Sequence, residues 1–216
     1  MNWQPVKPIV QVVLRFWLCV FVLPLLGNTP LLLNNRIVIL MLLWGIGLIH
    51  QETMQMSRLP KSLDTTQGII ALCGYFVNVM TLIDFAYFKH TDVQGLLMPK
   101  IGLVVLIFGF ILRGWSLYIL GKYFSKTAEI QAMPPQLVKT GPYSVIRHPA
   151  YAGAILFFVG QALYLGALNM SIIALVLMTL SYLIRIEKEE KNLIQIEALN
   201  YPLYQSQTWR LVPFVF

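Results

Sequence analysis

The chain has 216 residues, of which 57% are hydrophobic and 12% charged, and its formal net charge is +7. A water-soluble domain carries about a quarter charged residues, so this composition excludes a soluble globular class and places the chain in a membrane. The positive balance does not indicate nucleic acid, because the basic residues are scattered between apolar segments and act there as a topology signal.

Other chemistries are excluded by what the chain lacks. Cys19 and Cys73 sit in apolar segments without a CxxC pattern and read as small buried hydrophobes. His50, His90 and His148 fall in three different loops with no cysteine at ligand spacing, so no metal site is expected. There is no phosphate-binding glycine loop, no GxSxG elbow and no Rossmann fingerprint.

In chain order, the first apolar segment runs from about residue 9 to 26. Its Arg15 is near enough to the end to snorkel to the headgroups. With no small-residue cleavage site following, no cleavable signal peptide is expected. Residues 27–30 make a turn. A second segment begins between residues 31 and 37 and ends near 49, and residues 50–67 read as a polar loop. The third segment, about 68–88, carries Asn78 and, a turn from its end, Asp84, which suits the interface.

After a loop at 89–100, the fourth segment spans about 101–120 and holds Arg113 well inside it. A charge within the bilayer needs a partner, a cavity or a ligand. Two turns of helix separate Arg113 from Lys122, so a functional role is favoured over snorkelling. Residues 122–148 are polar and basic, with Pro134-Pro135. The fifth segment is expected over 149–168, with Gly153, Gly160 and Gly166 permitting close helix approach, and Asn169 turning the chain. The sixth, 171–184, continues without a break into RIEKEEKNLIQIEAL. A continuous helix rising 1.5 Å per residue would carry Arg185 to Glu190 just past the apolar part. The tail, from Tyr201 to Phe216, is aromatic and reads as interfacial.

The expected fold is therefore all-α, a polytopic transmembrane helical bundle of five or six segments. With six crossings and a cytoplasmic N-terminus, eleven Lys and Arg residues lie on the cytoplasmic side, against Arg36, Lys89 and Lys100 on the other. That asymmetry follows the positive-inside rule and brings residues 141–148 and 189–190 to one cytoplasmic face. Five crossings, with the last two segments as a tilted hairpin, fit the charges less well.

The densest stretch is Gly141-Pro142-Tyr143-Ser144-Val145-Ile146-Arg147-His148-Pro149-Ala150-Tyr151-Ala152-Gly153. Glycines and prolines fix its backbone, while Tyr, Arg and His supply donors and a titratable ring. His148 precedes a proline, which holds it extended, and Pro149 suits the first position of a helix. Alone, His148 fits a helix cap as well as a ligand contact. Tyr151 shares its helix face, and together they can bond a polar ligand at the helix start, where backbone N–H groups are unpaired. Glu187, Glu189 and Glu190, with Lys188 and Lys191 beside them, fit a solvated helix end by themselves.

The stretch GPYSVIRHPAYAG, then a helix hairpin, then the Glu189-Glu190 pair, resembles the signature of the isoprenylcysteine carboxyl methyltransferase group of integral-membrane methyltransferases, which includes phospholipid N-methyltransferases. The resemblance covers the second half, from about Leu112. It implies S-adenosyl-L-methionine as cofactor, held in a pocket of the C-terminal helix hairpin by Gly141, Tyr143, His148, Pro149, Tyr151, Glu189 and Glu190. It implies Arg113 as the clamp for an acceptor carboxylate, with Arg185 a second candidate. Residues 1–98 would be transmembrane scaffold and 99–216 the methyltransferase-like catalytic region. The implied acceptor is lipidic, most naturally a prenylcysteine-type carboxylate. The sequence departs from the family pattern after the glutamates, with Ala198 and Asn200 where Gly and Glu are usual, while Tyr201 and Tyr204 are kept. That departure leaves the acceptor open. The alternatives to the leading reading are a phospholipid N-methyltransferase, a NADPH-dependent membrane reductase of the sterol type, and a non-enzymatic lipid-binding subunit.

Overall fold

The computed structural model describes residues 34–40, 42–44, 65–88, 97–121, 137–196 and 199–215. The expected first segment with Arg15 and Cys19, the turn at 27–30, His50, His90 and the Pro134-Pro135 pair lie outside these residues. Residues 35–40 and 42–44 are helical. Five helices follow: α1 Thr65–Tyr87, α2 Leu97–Leu120, α3 Pro149–Tyr164, α4 Leu168–Ile194 and α5 Tyr201–Gln207, with a single 3-10 turn at Gly141–Ser144 before α3. Among the described residues the protein is an all-helical membrane bundle: α1, α2 and α4 are each long and apolar enough to cross a bilayer. At 1.5 Å per residue the 16 residues of α3 extend about 24 Å, short of the ~30 Å hydrocarbon core.

α3 packs between α2 and α4, and α1 lies against α4. The α2–α3 contact is backbone against backbone. A Cβ on Gly102 would lie 2.2 Å from the Tyr164 nitrogen, on Gly109 2.6 Å from that of Phe157, and on Gly160 2.3 Å from that of Leu106. A Cβ on Gly153 would lie 2.7 Å from the Arg113 nitrogen. Without a hydrophobic effect inside lipid, such small-residue contacts supply the dispersion that holds helices together. Across the bundle, Trp44 Nε1 donates to Gln161 Oε1 at 2.9 Å and Gln161 Nε2 donates to Asn78 Oδ1 at 2.6 Å. This polar chain joins the 35–44 helical region to α3 and α1.

Three expectations need correction. Gly166 does not permit helix approach: it has φ +83° and no atom near its Cβ position. Instead it ends α3, since Gly166 N–H donates to Leu163 O and Ala167 N–H to Ala162 O, both at 2.9 Å, the Schellman arrangement that favours glycine in the left-handed region. The α3–α4 turn therefore falls before Leu168, and Asn169 lies in the first turn of α4. Thr65, Thr66 and Gln67, expected in a loop, form the first turn of α1. Of the tail's aromatic residues, Tyr201 and Tyr204 are buried within the protein.

α4 runs unbroken for 27 residues, as its sequence implied. Its polar end therefore projects past the apolar part, beside the starts of α1 and α3 and near the end of α2. The loop before α3 and the two glutamates meet at that end of the bundle.

Candidate active site

The 3-10 turn at Gly141–Ser144 begins at a glycine with φ +60°, where a Cβ would strike Ile119 Cδ1 at 2.3 Å. That glycine lets the loop fold down against the end of α2. Pro149 opens α3, as its fixed φ allows, and is among the most fully buried side chains. His148 precedes it as the N-cap with φ −123°; its side chain makes no cap bond and turns instead toward α4.

The polar end of α4 receives that ring. Glu190 is 3% exposed and both of its oxygens are taken. Arg147 Nε (3.0 Å) and Tyr201 OH (3.3 Å) donate to Oε1, which also lies 3.2 Å from His148 Nε2. Arg210 donates to Oε2 from Nε at 3.1 Å and Nη2 at 2.6 Å. Burial alone would raise the Glu190 carboxyl, but the hydrogen bonds from His148, Arg210 and Arg147 outweigh it and hold it near 2.

Glu189 is arranged differently. Its Oε1 accepts from Tyr151 OH at 2.5 Å and pairs with Arg185 Nε at 2.9 Å. Its Oε2 lies 3.9 Å from His148 Nδ1, and its side chain keeps 19% exposure. A carboxylate can only accept, so the His148–Glu190 bond requires a proton on Nε2; in the neutral imidazole Nδ1 then keeps a lone pair. In that form His148 Nδ1 and Glu189 Oε2, 3.9 Å apart, are two acceptors close enough for one donor group to reach both. Ring stacking fixes the geometry: His148 lies parallel to Tyr151 with centroids 5.6 Å apart, and Tyr151 stacks on Tyr182 at 4.8 Å.

The two candidate arginines separate sharply. Arg185 is 2% exposed and committed within the protein. Besides Glu189, it donates from Nε to Tyr151 OH at 2.8 Å and from Nη1 to Gln67 Oε1 at 3.3 Å and Thr66 Oγ1 at 3.5 Å. Arg113 is half-buried and donates from Nη1 to the Ala150 carbonyl at 3.0 Å. A guanidinium has five N–H donors, so among the described residues most of its fork remains for a ligand. Tyr143 is buried, and its phenol is held well above the ordinary value by burial, Tyr204 and Glu189, with Arg113 pulling the other way.

The tail closes the site from the side. Residues 145–148 and 209–210 pair as a short parallel bridge: Arg147 N–H donates to Trp209 O at 2.7 Å, Trp209 N–H to Val145 O at 3.0 Å and His148 N–H to Arg210 O at 3.2 Å. Arg147 Nη1 donates to the Gln205 and Thr208 carbonyls, and Tyr204 OH to the Tyr143 carbonyl at 2.6 Å. Tyr204 is pushed up to about 12, by burial and against the pull of Arg147.

Sequence reasoning missed Arg147, Arg210, Tyr201 and the Thr66–Gln67 turn as members of this cluster. Arg147 stood inside the motif and was legible as a charge beside it. Nothing in local spacing connects Glu190 with Arg210 twenty residues on, across a helix and a turn.

Residues 100–195 match the family model for the isoprenylcysteine carboxyl methyltransferase (ICMT) family, which bears out the resemblance and begins it somewhat earlier than Leu112. A protein-S-isoprenylcysteine O-methyltransferase of Saccharomyces cerevisiae is 32% identical over 121 residues, covering 55% of this chain and 50% of the relative. Protein-S-isoprenylcysteine O-methyltransferase B of Arabidopsis thaliana is 31% identical over 119 residues, covering 55% and 60%. The matched region thus spans about half the length of these curated relatives. Among solved structures, a eukaryotic intramembrane Ras methyltransferase, ICMT, superposes with a TM-score of 0.59 at 19% identity, covering 96% of this chain and 86% of that one. At that identity the likeness is one of fold.

Proposed function

From the match of residues 100–195 to the isoprenylcysteine carboxyl methyltransferase family, we propose that this protein is an S-adenosylmethionine-dependent membrane methyltransferase that esterifies a prenylcysteine-type carboxylate. The observation that carries the reading is the acceptor pair of His148 Nδ1 and Glu189 Oε2, 3.9 Å apart, together with an arginine, Arg113, most of whose donors have no partner among the described residues.

The donor set fits the cofactor. S-adenosylmethionine brings an ammonium, ribose hydroxyls and a sulfonium that makes its methyl group electrophilic. Lone pairs on His148 and Glu189 suit those donors, and the carboxylate favours the added positive charge. Gly141, Tyr143, Pro149 and Tyr151 shape the wall of the same pocket, and Glu190 contributes by fixing the His148 ring. A nicotinamide cofactor would bring phosphates instead. At this site the guanidinium groups of Arg147, Arg185 and Arg210 are tied to glutamates, which disfavours the reductase.

Transfer to a carboxylate requires no general base, because the acceptor is already ionised. What remains for the protein is alignment and exclusion of water. Arg113 can hold the acceptor carboxylate by charge-assisted bonds, at the start of α3 and next to the turn carrying His148. Reacting atoms must be held about 3–3.5 Å apart and in line. The backbone contact of α2 with α3, which fixes Arg113 relative to His148 and Tyr151, serves that need. A lipid tail would lie among the helices and the cofactor would enter from the cytoplasmic face.

Purified protein in detergent, titrated separately with S-adenosylmethionine and NADPH, tests the cofactor. Incubation with a labelled methyl donor and, in parallel, a farnesylcysteine analogue or phosphatidylethanolamine tests the acceptor. Methyl ester formation on the prenylcysteine is expected. Binding of NADPH but not S-adenosylmethionine would overturn the reading, and methylation of the amine alone would move it to the phospholipid class.

A further inference from the structure

Among the described residues, the tail at 199–215 lies wholly beyond the residues matched by the family model, which end at 195. Yet its contacts converge on one group of that region. Arg210 places two N–H donors on Glu190 Oε2. The Arg210 carbonyl accepts from the backbone of His148, and the neighbouring Trp209 pairs with residues 145 and 147. Leu211 is buried in the cluster of Ile70, Met178, Tyr182 and Ile186, so the segment is anchored on both sides of the arginine.

We propose that Arg210 is a positioning residue for the methyl-donor site, acting through Glu190 on His148. This rests on the cofactor reading given above. Its fork fixes one oxygen of Glu190, which directs the other toward His148 Nε2. That bond selects the tautomer that turns a lone pair on Nδ1 toward Glu189. Without Arg210, Glu190 keeps Arg147 on Oε1 but loses the restraint on its second oxygen. The carboxylate can then rotate, and the ring is no longer held in one tautomer or one orientation. The acceptor pair dissolves although neither of its members has been changed.

Arg210 is suited to the test because its side chain is 30% exposed, so its substitution leaves no large void. Arg210→Gln and Arg210→Lys are compared with the wild type and with Lys191→Ala, which removes only an exposed ion pair to Glu187. Affinity for S-adenosylmethionine is measured by calorimetry, and the His148 imidazole is followed by 15N resonance in the cofactor-free protein. Arg210→Gln is expected to weaken binding tenfold or more and to broaden or shift the His148 signals away from the Nε2-protonated form. Arg210→Lys, which keeps the charge but not the fork, should weaken it about threefold. Lys191→Ala should bind like the wild type. The maximal rate at saturating cofactor should stay within about twofold, so the loss appears in KM. Wild-type affinity in folded Arg210→Gln overturns the proposal. If that variant does not fold, Arg210→Lys decides it, and unchanged affinity there overturns it equally. Failure of the wild type itself to bind S-adenosylmethionine would instead overturn the cofactor reading.

Discussion

His148 Nδ1 and Glu189 Oε2 face each other at 3.9 Å, while the second atom of each group, His148 Nε2 and Glu189 Oε1, is already bonded within the protein. The neighbouring carboxylate, Glu190, has both oxygens occupied. Two adjacent glutamates thus have different work, and isosteric substitution separates them. Glu189→Gln should fold with nearly the wild-type melting temperature and weaken S-adenosylmethionine binding about tenfold, since it removes a bond to a charged group. Glu190→Gln should cost about 3 kcal/mol of stability, because it leaves two arginines beside a neutral amide. Melting curves and binding isotherms on both variants check this, and the reverse pattern would exchange the two roles.

Acid sensitivity follows from the same knot. The Glu190 carboxyl is depressed from its ordinary value of 4.5 to about 2 in the folded protein. A depressed carboxyl contributes stability that is fully present above the unfolded value and is lost as pH falls toward the folded one. The melting temperature in detergent should therefore hold from pH 7 to about 5 and decline between about 4.5 and 2. In Glu190→Gln that decline should be shallower. An equal slope in both proteins would assign the acid loss to other carboxylates.

The glycines divide by what surrounds them. A methyl group on Gly160 would lie 2.3 Å from the Leu106 nitrogen, backbone that cannot step aside, whereas nothing lies within 4 Å of the same position on Gly114. Gly160→Ala should destabilise by about 1–3 kcal/mol through overpacking and lower turnover by moving α2 against α3. Gly114→Ala should be neutral or stabilise by up to about 1 kcal/mol, the helix-interior difference between the two residues. Thermal melting of the two variants gives the comparison.

The membrane class, α1, α2, the continuous α4 and the meeting of the 141–153 stretch with Glu189-Glu190 were legible because they rest on composition, apolar runs and a motif. The boundary at Gly166 was not, since a glycine that ends a helix and one that lets helices touch look alike in sequence; only the φ of +83° separates them. Tyr201 and Tyr204 read as interfacial because aromatic residues near a membrane segment usually are. Their burial depends on a carboxylate and a carbonyl brought in from 11 and 61 residues away. The split between Glu189 and Glu190 was equally hidden, since it is decided by Arg210 and Tyr201 through the fold and not by helix periodicity.

Orientation is open to direct labelling. If the site faces the cytoplasm, as the distribution of basic residues predicts, cysteines introduced at Lys139 and Lys100, both exposed and at opposite ends of the bundle, should react with an impermeant maleimide from opposite sides. Reaction of both from the same side would contradict the assignment.

Arg113 and Arg185 were both candidates to hold the acceptor, and the structure gives them unlike surroundings. Arg185 is buried and shared among Glu189, Tyr151, Gln67 and Thr66. Arg185→Lys cannot reproduce that fork, so it should lower stability by a few kcal/mol, in the range for disrupting a buried pair, and weaken cofactor binding by releasing Glu189. Among the described residues, Arg113 holds the Ala150 carbonyl alone. Arg113→Lys should fold and bind cofactor like the wild type. Its methylation of a prenylcysteine should fall tenfold or more, because a point charge does not align a carboxylate as a planar fork does. A phospholipid amine offers no carboxylate to clamp, so methylation of that acceptor should be little changed by the same substitution. Unchanged prenylcysteine turnover in a folded Arg113→Lys variant would remove this residue from the acceptor site and leave its place at the start of α3 as purely structural.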